Sequence, residues 1–329
     1  MVIKSTVLAG LAATGLAWVS SGTGALAVEA KLGHLAPTGD PRHEVMLGFA
    51  QAIEEGTGGE VTVEVFPDST LGKERELFEQ AQAGITELAL VGSVVANFYP
   101  AWSIIDMPFL WRDREHLVEF VNSDYAEQWS KDMAEETGVE LLAFLERNPR
   151  ILTTTTKPVR SVADLEGMKV RVPNVNVYTD TWRAFGVEPV PMPAADFYLA
   201  LKLGTIEGME NPVEVMYHWK IFEVSKYLMP TEHMRAGFFL IASRQFMEGL
   251  SPEHQEVVRE AAETAQAALA EKNAEGAAEL YGKLQEAGME IVRDIDIESF
   301  RERAQQVHET YMDQFGREAY DAAVAMGEN

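Results

Sequence analysis

The stretch Asp164-Leu165-Glu166-Gly167-Met168-Lys169-Val170-Arg171-Val172-Pro173-Asn174 reads as a turn feeding a strand with a forced end. Asp164 to Gly167 form the turn. Val170 and Val172 then fall on one face, Lys169 and Arg171 on the other, which is the period-2 pattern of a strand. Pro173 has no N–H for a ladder, so the strand stops there. Arg171 is therefore the last donor-bearing residue at the carboxyl end of a strand. In open α/β sheets, ligands bind outside those ends. A planar guanidinium there matches a carboxylate with two parallel hydrogen bonds. Spacing alone does not distinguish this from an exposed Arg paired with one of the chain's many acids.

Working outward, the chain alternates. Residues 28–35 read as a strand with His34 at its end. Val45, Met46, Phe49 and Ile53 recur at helical spacing over 42–55. Val61, Val63 and Val65 alternate as a half-buried strand that Pro67 stops. Leu71-Gly72 leads into a helix over 74–83, and 88–91 is a short buried strand. This β-α-β-α-β order predicts an α/β unit with a mostly parallel sheet. Residues 115–136 read as one helix, 141–145 and 151–155 as strands. Helices follow at 178–185 and 195–203, then an apolar strand at 236–242. Ser251-Pro252-Glu253 is a strong helix start: a capping Ser, a Pro at the first position, an acid in the first turn. The Ala- and Glu-rich segment after it has no strong stop until Gly288. A helix of about 36 residues would be about 54 Å long, enough to bridge two lobes. Residues 289–292 read as a last strand and 300–326 as helical. No Pro/Ser-rich linker occurs, so the lobes are expected to be joined by several crossings.

The chain has 329 residues, with 52 Asp and Glu against 27 Lys and Arg, giving a net charge of −25. That balance disfavours nucleic acid and anionic membranes as partners. Taken naively, it suggests a cationic ligand. The absence of cysteine excludes disulfides, thiolate metal sites and thiol nucleophiles. No G-x-S-x-G elbow, Walker A loop or H-E-x-x-H motif is present, and the seven histidines include no pair at helical ligand spacing. No cofactor or metal is expected. At the N-terminus, Lys4, an apolar run of about 15 residues and Ala25-Leu26-Ala27 read as a cleaved secretory signal over 1–27, too short to span a bilayer.

At this point the sequence resembles the solute-binding proteins of tripartite ATP-independent periplasmic (TRAP) transporters. The resemblance covers nearly the whole mature chain. Its strongest part is the stretch from Asp164 to Pro173. It continues through Gly186, Phe197-Tyr198-Leu199-Ala200-Leu201, Gly204 and Gly208-Met209-Glu210-Asn211-Pro212. Thr57-Gly58-Gly59, Leu71-Gly72, Met107-Pro108-Phe109-Leu110 and Leu250-Ser251-Pro252 support it.

The resemblance implies a non-enzymatic periplasmic receptor with the two-lobed, type II-like binding-protein fold: mixed sheets flanked by helices, and a long helix bridging both lobes. Lobe I would comprise 28–148 and about 237–275; lobe II, 149–236 and about 276–329. The receptor would be monomeric, close on a small organic acid, a sugar acid or C4-dicarboxylate, and deliver it to a membrane permease. The family's carboxylate-gripping Arg maps to Arg171. A second family Arg maps best to Arg150, with Arg147 nearby. Asn211 and Asn174 map to further ligand contacts, and His34 and Glu74 to hydroxyl readers on the first lobe. Glu74 slightly favours a hydroxyl-rich ligand over a second carboxylate. Two departures leave the ligand open: Ala194 replaces a common pocket aromatic, and Gly92 sits where some sugar-acid binders carry Glu. Trp182 and Trp219 are candidates for the cleft or the core. On its own, Asn211-Pro212 reads as a turn. The rival classes are an exported two-lobed hydrolase, for which no nucleophile–base pair is found, and an ABC-type binding protein.

Overall fold

The computed structural model describes residues 27–327; the predicted signal segment, apart from its last residue Ala27, lies outside them. The chain opens with β1 (Val28–His34), α1 (Pro41–Gly56), β2 (Val61–Phe66), α2 (Glu74–Gln82) and β3 (Leu88–Val91). Then come α3 (Arg114–Val121), α4 (Asp124–Thr137) and β4 (Val139–Glu146). It crosses into β5 (Arg150–Thr154), β6 (Lys169–Val172), α5 (Asn176–Ala184), β7 (Glu188–Pro191), α6 (Phe197–Lys202), β8 (Gly208–Pro212), α7 (Val213–His218) and β9 (Tyr227–Met234). It returns as β10 (Gly237–Ser243), α8 (Arg244–Gly249) and α9 (Pro252–Glu286), and ends with β11 (Glu290–Ile291), α10 (Ile297–Phe315) and α11 (Arg317–Met326).

Two mixed sheets result. The first runs β2-β1-β3-β10-β4 and the second β11-β9-β5-β8-β6-β7. In the first, β1 pairs parallel with β2 and β3, while β10 runs antiparallel to β3 and β4. In the second, β6 is parallel to β7 and β8, and β5 is antiparallel to β8 and β9. The sheets are joined where β4 passes to β5 and where β9 passes to β10. The two crossings touch, Arg147 N–H donating to Ala236 O at 3.1 Å.

Helix α9 is the third link. Its 35 residues span about 52 Å. Ser251 caps it by accepting from His254 N–H at 3.2 Å. Val258, Ala261, Ala262, Ala265 and Leu269 enter the core of the first lobe, whereas Leu280 and Leu284 enter that of the second. One helix thus serves two cores. Among the described residues no helix is long and apolar enough to cross a membrane.

The structure corrects several local expectations. The helix read over 115–136 is two helices. Asp113 caps α3 by accepting from His116 N–H at 2.8 Å, and extended Ser123 restarts the chain as α4. The helix read over 300–326 is likewise broken at Gly316, whose φ of +83° a helix cannot hold. Asn211-Pro212 is not a turn but the end of β8, a central strand that is buried throughout. Strands β7, β8 and β9 had no sequence signal. Finally, α11 packs on α3 of the first lobe, and α10 touches both lobes.

Candidate functional site

The carboxyl end of β6, the end of β8 and the β4–β5 crossing meet the first lobe at a cleft. It encloses about 440 Å³ of space not occupied by atoms. Arg171, Arg150, Asn211 and Glu74 all line it, so the structure brings four of the six sequence-selected residues together. Asn174 lines the adjoining mouth. His34 does not reach the wall. It is buried, with Nδ1 accepting from Ala36 N–H at 3.1 Å and Nε2 lying 3.1 Å from His43 Nδ1. Burial first, then His43 and Arg42, push its imidazole down to about 3.

Arg42 and Arg147 complete a set of four guanidiniums on the cleft wall, those of Arg42, Arg150 and Arg171 on buried residues and that of Arg147 on a side chain only 7% exposed. Arg42 looks from sequence like an ordinary polar position of α1. Here it pairs with Asp40, Nε to Oδ1 at 2.7 Å. Its guanidinium and that of Arg147 lie 4.8 and 4.4 Å from the ring centroid of Phe238. Trp219 and Phe197 stack beside them with centroids 5.1 Å apart, lining the side where Ala194 leaves room. Trp182, by contrast, is wholly in the core.

The four cations divide by the company they keep. Arg150 faces Glu210 with both edges of its fork, Nη2 to Oε1 at 2.7 Å and Nε to Oε2, and also donates to Glu210 O at 3.1 Å. Burial alone would raise the Glu210 carboxyl, but Arg150 takes it down to about 2. Burial would lower Arg150, yet Glu210 holds it above its ordinary value. Asp40 does the same for Arg42. Arg147 is less well served. Its Nε is buried with no hydrogen-bond partner among the described residues, and Glu214 is 3.9 Å away. Burial, then Arg150 and Arg42, bring Arg147 down to about 10.

Arg171 is 3% exposed and makes no ion pair among the described residues. Its Nε and Nη2 both donate to Met192 O, at 3.0 and 2.7 Å. That commits the side edge of the guanidinium and fixes its plane. The end edge, Nη1 and the second Nη2 hydrogen, remains to be used. Burial holds this group down to about 10 as well, Glu210 opposing and Arg150 adding to the effect.

Glu74 stands on the first-lobe wall at the start of α2. Its Oε1 accepts from Gly92 N–H at 2.6 Å, and Oε2 has no hydrogen-bond partner among the described residues. A Cβ on residue 92 would lie 2.9 Å from that oxygen, so a side chain there would oblige the carboxylate to shift. The lobes also touch in front of the cleft. Lys73 Nζ meets Asp196 Oδ2 at 2.9 Å, Asn97 Nδ2 donates to Asn174 O at 2.9 Å, and Ser93 Oγ lies 3.0 Å from Tyr178 OH. The arrangement is a closed cleft whose wall supplies guanidinium and amide hydrogen-bond donors together with one carboxylate acceptor, Glu74.

The chain as a whole is similar to known proteins. A solute-binding protein of Roseobacter denitrificans is 34% identical over 301 residues, covering 91% of this chain and 92% of its own. The 2,3-diketo-L-gulonate-binding periplasmic protein of Escherichia coli is 30% identical, covering 84% of this chain and 85% of its own. Among solved structures, a TRAP periplasmic solute binding protein from Roseobacter denitrificans with bound L-galactonate has a TM-score of 0.85 at 32% identity, covering 91% of this chain and 98% of its own. One from Polaromonas bound to D-erythronate has a TM-score of 0.87 at 30% identity, covering 91% and 98%. The family described as "DctP: Bacterial extracellular solute-binding protein, family 7" matches residues 32–314, and the chain belongs to it.

Proposed function

We propose that the chain is the receptor of a TRAP transporter and captures a polyhydroxylated monocarboxylic acid, an aldonate or a uronate, between its lobes. In this reading residues 1–27 export the chain to the periplasm. The monomeric mature receptor then delivers the acid to its membrane permease. One observation carries the ligand class. Among the described residues, Arg171 is a cleft cation that makes no ion pair, and Glu74 is a cleft acid that makes none. One unmatched positive group calls for one carboxylate. One unmatched acceptor calls for hydroxyl donors and repels a second carboxylate. The bound ligands of the relatives, L-galactonate and D-erythronate, have that composition.

The ligand carboxylate takes the end edge of Arg171 and the amide hydrogens of Asn211, with the remaining donors of Arg150 and Arg147 behind them. Hydroxyl groups reach Glu74 Oε2, and Asn174 sits at the mouth. Leu35, Trp219, Phe197 and Phe238 cover the C–H faces and exclude water, which strengthens each polar contact. Glu74 comes from the first lobe and Arg171 from the second, so a ligand holding both favours the closed state over the open one.

A thermal-shift screen over aldonates, uronates, aldarates, C4-dicarboxylates and ectoine tests the reading. An acid present at about 100 times its Kd adds about 2.7 kcal/mol of stability. The expected hits are hydroxy monoacids. No shift with any carboxylic acid would overturn the proposal.

A further inference from the structure

The mouth beside Arg171 is a chamber in its own right, with about 490 Å³ of space not occupied by atoms. Arg171, Glu74, Leu35 and Ala194 line both it and the cleft, so the two spaces are continuous. Residue 194 carries only a methyl group at that junction. The chamber's walls come from both lobes: Ser69, Lys73 and Asn97 from the first, Asn174 and Ala195 from the second. A group held there bridges the lobes, as a ligand on Arg171 and Glu74 does.

The lining is of two kinds. Leu35, Val94, Pro193 and Ala195 are apolar, and Ser69, Asn97 and Asn174 are neutral hydrogen-bonding residues. Among the described residues the Ser69 hydroxyl and the Asn174 side-chain amide have no hydrogen-bond partner; the one bond at Asn174 from Asn97 is to its backbone oxygen. Ser69 also sits at φ +57°, a costly conformation for a residue with a Cβ, with its N–H donating to His34 O at 3.1 Å. Strain of this kind is retained where a site uses it. The two cations that line the chamber but not the cleft are each matched. Lys73 Nζ meets Asp196 Oδ2 at 2.9 Å and Arg75 Nε meets Glu79 Oε1 at 3.0 Å. The chamber therefore calls for a neutral group rather than a second anion.

We propose that this chamber is a second sugar subsite, and that the chain takes a hydroxy acid extended by a neutral sugar ring, an aldobionate. The carboxylate sits on Arg171 and the second ring in the chamber. A sugar ring has apolar C–H faces and hydroxyl edges, which match the apolar wall and the uncommitted groups of Ser69 and Asn174. Ala194 is then the specificity-determining residue, because its small side chain leaves the junction open to the longer ligand. The inference rests on the reading of the cleft as a hydroxy-acid site.

Titration calorimetry on the mature chain tests the proposal, comparing D-gluconate and D-galactonate with lactobionate, maltobionate and cellobionate. Lactose, which lacks the carboxylate, is the control. The expected result is saturable binding of at least one disaccharide acid, with a Kd within about tenfold of the better six-carbon acid or tighter, and none of lactose. Ala195→Leu narrows the chamber without touching the cleft. It should weaken the disaccharide acid roughly tenfold or more and leave the six-carbon acid unchanged. Ala194→Phe, at the junction, should raise the ratio of the two dissociation constants at least as far. Circular dichroism melting checks that the variants fold. Binding of a six-carbon acid but of none of the three disaccharide acids would overturn the proposal. So would equal binding of lactose, or an unaltered ratio in both folded variants. Failure of every hydroxy acid, short and long, would instead strike the reading of the cleft itself, and this inference with it.

Discussion

Arg147 donates from Nη2 to Asn211 Oδ1 at 3.1 Å, and that bond decides what Asn211 has left to offer. An arginine has only donors, so the oxygen of the amide must face it. The amide hydrogens of Asn211 are then its free groups at the cleft wall. Asn211 therefore acts as a donor, in keeping with an anionic ligand.

The bond predicts the ranking of two substitutions. Asn211→Asp retains the oxygen that Arg147 holds and replaces the NH2 group with a second oxygen. A ligand carboxylate would then meet an acceptor and a negative charge. Asn211→Asp should weaken binding more than Asn211→Ala does, with little loss of unliganded stability. Titration calorimetry on both variants gives the order; the reverse order would remove Asn211 from the carboxylate site.

Arg171 should behave as the principal cation. Arg171→Ala should cost about 2–5 kcal/mol of binding, because the ligand charge is left unpaired in a closed cleft. Arg171→Lys should recover only part of this, since a point charge cannot reproduce the flat edge that Met192 O holds in place. The unliganded melting point should change little or rise, as a buried cation without a counter-charge is lost. Unchanged ligand-induced stabilisation in Arg171→Ala would exclude the assignment.

Much of this was legible in the sequence. The alternation in the first lobe stands out because glycines and prolines bound each strand. The long α9 stands out because Ser251-Pro252-Glu253 caps it strongly. Arg171 was exposed to view by Pro173. Other features depend on distant partners. Buried β8 carries Glu210 and Asn211, which no hydrophobic pattern predicts, and Glu210 is tolerated only because Arg150 and His233 face it. For the same reason spacing could not reveal that Arg150 already has a carboxylate while Arg147, three residues earlier, has a buried Nε with no acceptor. Arg42 and Phe238 read as a helix surface and a core strand, and only tertiary structure turns them toward the cleft. The global charge of −25 misled in sign, because the cleft's own guanidiniums are close and buried while the surface acids are distant and screened.

Glu74 should set the choice between monoacids and diacids. The test compares an aldonate with the aldarate of the same carbon skeleton. The native chain should favour the aldonate. Glu74→Gln should narrow the difference, because it removes the repulsion while keeping an oxygen for Gly92 N–H to reach. Gly92→Ala should weaken aldonate binding through the same carboxylate, since the added methyl lies 2.9 Å from Glu74 Oε1. Preference of the native chain for the aldarate would show that Glu74 does not face the ligand's far end.

The buried pair of Arg150 with Glu210 predicts a stability effect distinct from the binding effects. Glu210→Gln leaves a desolvated guanidinium without its counter-charge, and such losses cost about 3–5 kcal/mol. The melting point should fall with or without ligand. A variant that melts normally but fails to bind would make Glu210 a ligand residue instead.

His34 should govern the acid side of the stability profile. Its folded value of about 3 lies below the ordinary 6.5, because burial opposes the charged form and His43 and Arg42 add to the cost. The unfolded chain therefore takes up a proton that the folded chain refuses. Its contribution is complete above pH 6.5 and is lost as pH falls toward 3, at about 1.4 kcal/mol per pH unit from this group alone. Glu210 and Asp40, both held to about 2 by burial outweighed by their arginines, add a second loss below their ordinary values of 4.5 and 3.8. Asp106 acts in the opposite sense: burial raises it to about 6, so stability is gained as it protonates on acidification from pH 6 to its ordinary 3.8. Urea denaturation at intervals between pH 7 and 5 leaves out the Glu210 and Asp40 losses, which lie at lower pH, and the Asp106 gain is common to the native chain and the variant compared with it. His34→Gln should flatten the native decline in that window, even if its stability at neutral pH is lower. An identical slope in the variant would mean that His34 takes up its proton in the folded chain.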